Sequence, residues 1–229
     1  MGFLDELKNK ALAQEAKLRE DGAQVARNTA QVEAACMQAW TYLSELGRQL
    51  HVLKPPCVTR FVIDPRAVVS GMRYSDFTAD IRRKRIDLGP LAAPEVVDYM
   101  VLSARLVSGQ SFRVTKDFPP EITRLEARLA QGGIRCIGEP VRDTATGRFL
   151  QNRYDFVADL VTGVRVLPLH EQGRLQFVIQ NFDGLLTTKA TFDAEQITSA
   201  RLDELAKWWV GEPHRFLDGA VEVLRIEPR

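Results

Sequence analysis

The chain changes its hydrophobic period once, at Pro55-Pro56, and that switch limits what it can fold into. Before it, Leu4, Ala11, Leu18, Val25, Val32, Ala39, Leu46 and Leu53 recur at an unbroken spacing of seven, the mark of an apolar seam along a helix. After it, β-branched and aromatic residues alternate with polar ones, the two-residue period of strands. The double proline ends the helix, because neither residue has an amide hydrogen and Lys54 is pushed out of the α region. Residues 1–54 therefore read as an N-terminal helical, coiled-coil-like region and residues 55–229 as an α+β domain.

The companion positions of the seam are polar at Gln14, Asp21 and Asn28 and apolar at Leu7, Ala35 and Tyr42. One spine is complete and the other half present, so the helix can seat on its own domain or pair with another chain. Asp21-Gly22 offers a break that would turn the segment into a helical hairpin. Ala26, Ala30, Ala34 and Ala35 would admit a close neighbour.

Strands are expected at 58–63, 68–70, 72–85, 96–107 and 111–118, with Ser108-Gly109-Gln110 as a hairpin turn between the last two. A helix follows at 121–131, opened by Pro119-Pro120 and stopped by Gly132-Gly133. A second round has strands at 134–141, 148–168 (one long strand or two), 175–181 and 186–192, then a helix at 194–210 capped by Asp193. A tail from Arg215 carries one last strand at 221–226.

The two rounds echo each other. Arg73-Tyr74-Ser75-Asp76-Phe77-Thr78-Ala79-Asp80-Ile81 and Arg153-Tyr154-Asp155-Phe156-Val157-Ala158-Asp159-Leu160 share six of eight positions once Ser75 is skipped. Such a likeness suggests one supersecondary unit used twice, over about 57–133 and 134–229, with helices on one face of an antiparallel sheet. A β-bulge near Ser75 would return Tyr74 to the face of Phe77, Ala79 and Ile81.

Bulk properties exclude more than they assign. With 31 Lys and Arg against 30 Asp and Glu, the net charge of +1 gives no general attraction to nucleic acid or anionic membrane. Cys36, Cys57 and Cys136 have no zinc-type spacing and read as reduced thiols of a cytoplasmic protein. No metal or other cofactor is implied, no leader is visible, and no apolar run is long enough to span a membrane.

Few residues invite chemistry. Arg82, Arg83, Lys84 and Arg85 could hold an anion, or could guard an edge strand, with Asp80 and Asp87 as partial neutralisers. The repeated Arg-Tyr…Asp pattern reads as sheet scaffold. His51, His170 and His214 are scattered, and no nucleophile elbow, zincin helix or phosphate loop is present. Trp208 is expected beneath Phe216 and Leu217, and would be a partner anchor if left uncovered.

The sequence thus suggests a non-enzymatic interaction or scaffold protein that self-associates or docks a partner protein through Leu18, Val25, Val32, Ala39 and Leu46. A first alternative is a module whose curved sheet, lined by 96–107 and 157–167, encloses a small apolar or anionic ligand such as a lipid. A weaker one is nucleic-acid binding through the basic run.

Overall fold

A computed structural model describes residues 3–85 and 95–228, with the side chains of Leu4, Asp5, Asn9, Ala13, Ala16 and Leu18 outside the described set. Asp87 also lies outside it. The fold is α+β, a long N-terminal helix followed by antiparallel sheets and two further helices.

Helix α1 (Phe3–Leu53) runs straight through Asp21-Gly22, so the hairpin alternative does not hold. Gly22 costs some helix propensity but has no neighbour that would turn the chain there. At the far end Lys54 takes a φ of +43°, outside the right-handed helical region that Pro55 disfavours for the residue before it. The next strands, β1 (Phe61–Asp64) and β2 (Ala67–Val69), form a small hairpin.

The main sheet has six strands. In spatial order they are β11 (Glu222–Ile226), β10 (Thr187–Asp193), β9 (Arg174–Gln180), β8 (Leu160–Leu169), β4 (Glu95–Val107) and β3 (Arg73–Arg85). A second sheet is ordered β5 (Ser111–Lys116), β7 (Phe149–Val157), β6 (Glu139–Arg142). Ser108-Gly109-Gln110 is not a hairpin turn. It is a bend that carries the chain from β4 in one sheet to β5 in the other, while Ala158-Asp159 returns β7 to β8 alongside it. The two bends are pinned together: Ala158 N–H donates to the Gln110 carbonyl at 2.9 Å, and Asp159 accepts from Ser108 N–H at 3.0 Å.

The face of the main sheet carrying Met100, Leu102, Val164, Val166, Phe177, Ile179 and Ala190 is buried beneath α1 and α3 (Ser199–Val210). Val32, Cys36, Ala39, Leu43 and Leu50 of α1 enter this core at helical spacing. The boundary near residue 54 is therefore a change of secondary structure, not of core. Ala26, Ala30 and Ala34 are exposed; the close approach falls at Ala39 and at Gly47 beside Leu102.

Helix α2 (Pro119–Gly132) buries Leu125 and Leu129 and ends on Gly133 at φ +74°. Lys116 of β5 reaches Asp64 at 2.9 Å and Glu121 at 3.3 Å, tying the small hairpin, the second sheet and α2 together. Two expected spans come out shorter. The strand expected over 134–141 is confined to Glu139–Arg142, and the last helix is preceded by a one-turn 3-10 segment at Ala194–Gln196. Asp193 caps that turn, whereas Thr198 caps α3 by accepting from Arg201 N–H.

The β-bulge is present. Ser75 pairs with Arg105 and Thr78 with Ser103, so β3 carries one extra residue, and Asp76 takes a φ of +52°. Tyr74 and Phe77 then sit together, ring centres 6.0 Å apart. A duplicated unit is nonetheless not confirmed. The first segment forms the edge of the main sheet and the second the centre of the other sheet, with different neighbours.

Candidate interaction site on the N-terminal helix

From Phe3 to Gln24 every described side chain of α1 is exposed. Those 22 residues extend the helix by roughly 33 Å at 1.5 Å per residue. Phe3 is 76 % exposed, Leu12 63 % and Leu7 47 %. Glu6 and Lys10 pair at 3.3 Å, a spacing of four that supports an isolated helix.

The arm is clamped where it meets the body. Asn28 donates to the Glu171 carbonyl at 2.7 Å, and Gln31 reaches Glu195 at 3.4 Å. One turn on, the Glu33 carboxylate accepts Val97 N–H at 2.8 Å and lies 3.6 Å from Arg83. His170, buried at the end of β8, contacts the Val97 carbonyl at 3.0 Å and stands 3.9 Å from the same carboxylate. Thus α1 leaves the sheet from a fixed base.

The expected seam is divided by this arrangement. Val32 and Ala39 are fully buried and Leu46 is half-buried against the core, so none of the three is open to a partner. The apolar face of the chain's own sheet satisfies them. Val25 is half-buried at the base of the arm, and the side chain of Leu18 is outside the described set.

Trp208 is 2 % exposed and is excluded as an anchor. Its ring stacks on His214 with centres 4.6 Å apart, and Phe216 and Phe182 close around it. His51 is exposed in the last turn of α1.

The basic run lies on the β3 edge of the main sheet, and two of its members are engaged. Lys84 pairs with Asp98 at 2.8 Å, and that contact, the largest influence, holds the Asp98 carboxyl below its ordinary range. Arg83 faces Glu33 on the other side. Arg82 is opposite Tyr99, and Arg165 lies over the same ring at 4.6 Å. Among the described residues, Arg83 and Lys84 thus engage separate carboxylates.

Residues of the strands expected to line a cavity are buried in the core. Leu102, Ala104, Leu106, Val164 and Val166 are at most 2 % exposed, packed beneath the helices. Open grooves remain, among them one of about 620 Å³ between α1 and α3, where the Tyr42 hydroxyl donates to Asp203 at 2.6 Å. Among the described residues no group of three or more His, Cys, Asp or Glu could hold a metal, and no helix is long and apolar enough to cross a membrane.

No known protein family, curated protein or solved structure matches the chain.

Proposed function

We propose that the chain is a non-enzymatic interaction protein that pairs with a second copy of itself through the protruding part of α1. The observation that carries this is an apolar seam continuous in sequence but packed in its middle, at Val32 and Ala39, while Ala11 on the arm is exposed. Val32 and Ala39 are consumed by the chain's own core, while Leu4, Ala11 and Leu18 continue the same spacing along the arm. Charge favours a parallel second copy. In the frame set by Leu4, Lys10 and Glu15 occupy the flanking positions that meet across a parallel pair. The antiparallel arrangement would set Lys10 against Lys17 of the other chain.

The arm offers few large apolar residues and polar companions at Gln14 and Asp21, so the affinity is modest. A dissociation constant on the order of micromolar is expected. We place this protein in the cytoplasm, on the strength of three unpaired cysteines, two of them buried.

Sedimentation of the full chain across a concentration series tests the proposal, alongside Leu7→Glu combined with Ala11→Glu. The natural sequence should shift from monomer to dimer as concentration rises, and the variant should remain monomeric with unchanged circular dichroism. A concentration-independent monomer mass for the natural sequence would overturn it.

A further inference from the structure

β11 is an outer strand of the main sheet. β10 pairs with one of its edges, and no described strand pairs with the other. A groove of about 1080 Å³ runs beside it, with α2 as the opposite wall. Leu224, Arg225 and Ile226, three consecutive residues, all line this groove. Successive side chains of a strand point to opposite faces, so a groove that meets all three follows the strand's edge.

That edge is short and carries Glu222 and Arg225, with Pro228 beyond it, but no bulge turns it away. Its register against β10 runs without a bulge, and all five residues of β11 are exposed, Leu224 by 48 % and Ile226 by 41 %. Unpaired backbone N–H and C=O groups on such an edge accept a further strand.

The walls define the chemistry of what would enter. Arg124 and Arg128 lie one turn apart on the same side of α2 and both line the groove, whereas the side chain of Arg225 belongs to the other face of β11, on the side of His214. Among the described residues no carboxylate stands within ion-pair distance of any of the three. Glu227 is the acidic residue in the lining, against the guanidinium groups of Arg124 and Arg128 on the α2 wall.

We propose that this groove binds an acidic peptide segment in extended form. The segment adds to β11 through its backbone, and its carboxylates on the α2 side engage Arg124 and Arg128. Alternate side chains of an added strand face one wall, so acidic residues at every second position satisfy the arginines together. The surface is separate from the α1 arm and does not depend on self-association.

The probe is a short labelled peptide of alternating Glu and Val, titrated with the full chain by fluorescence polarisation at low and high salt. Two companions accompany it, one with Lys for every Glu and one with a central Val replaced by Pro. Binding of the acidic peptide, weakened by salt and by the proline, is expected. Arg124→Glu with Arg128→Glu should weaken it by about tenfold or more, as charge-assisted contacts are reversed. Because Arg128 also donates to the Ile63 carbonyl at 3.5 Å, Arg124→Glu is measured singly as well. Amide hydrogen exchange in β11 should slow when the peptide is bound. Absence of binding, equal binding of the basic peptide, or binding that leaves β11 exchange unchanged would each overturn the proposal.

Discussion

Gly163 on β8 stands so close to Leu102 on β4 that a β-carbon there would lie 2.6 Å from the Leu102 carbonyl oxygen. The same β-carbon would sit 3.0 Å from Ser103 Cα, so backbone surrounds it and neither strand has room to yield. Gly163→Ala should therefore destabilise the fold by about 3 kcal/mol, the cost of overpacking a rigid site. Gly47 provides the contrast. Its added β-carbon would meet the Leu102 Cδ1 methyl at 2.7 Å, a side-chain tip that can turn, and alanine gains about 1 kcal/mol of helix propensity. Gly47→Ala is expected near neutral in urea unfolding. Equal losses for the two variants would contradict this account.

Asn181 couples α2 to the main sheet. Its amide donates to the Gln131 carbonyl at 2.9 Å and the Val161 carbonyl at 2.7 Å, and its oxygen accepts from the Gln131 side chain at 3.1 Å. The residue is 1 % exposed at a φ of +61°, a backbone state that asparagine tolerates better than most residues. Asn181→Ala loses all three bonds and meets that φ poorly, for a cost of about 2–4 kcal/mol. Asn181→Gly keeps the backbone state and loses only the bonds, so it should fall between alanine and the natural residue. Chemical denaturation of the three proteins gives the order.

Much of this fold was legible in the sequence, because its signals are local. Pro55-Pro56 and the β-branched runs marked α1, β3 and β4 to within a few residues. The bulge was legible too, since only an extra residue at Ser75 lets Tyr74 share a face with Phe77. What failed depended on distant partners. A bend between sheets uses the same residues as a hairpin turn, so Ser108-Gly109-Gln110 misled. Likewise, the seven-residue spacing is identical in both halves of α1. Only the tertiary fold shows that Val32 and Ala39 are packed while Leu7 and Leu12 are exposed.

Thiol chemistry should follow burial. Burial pushes the Cys36 thiol up to about 12, with Glu33 adding to the rise and Arg83 opposing it. The thiolate is the reactive form, so Cys36 should be inert in the folded chain near neutral pH. Cys57 is buried as well, whereas Cys136 is half-buried, its thiol raised chiefly by burial and directed at the Asp155 carbonyl at 3.5 Å. A disulfide reagent should therefore modify one cysteine slowly in the native protein and three in urea. Rapid native modification mapped to Cys36 would show that the helix base opens.

His214 should give the fold a pH dependence on the acid side. Burial against Trp208 is the largest influence and lowers its pKa from the ordinary 6.5; Asp183 and Glu204 pull the other way, while Arg225 reinforces the drop. A lowered pKa means that the folded chain resists the proton that the unfolded chain takes up. Stability from this site is complete above about 6.5 and declines as pH falls through the lowered value. His214→Phe retains an aromatic ring on Trp208 but cannot titrate. Melting temperature should fall between neutral pH and pH ~5 in the natural protein, and fall less in the variant. Identical slopes would place the acid sensitivity elsewhere, in carboxylates such as Asp155 that Arg113 holds below their usual range.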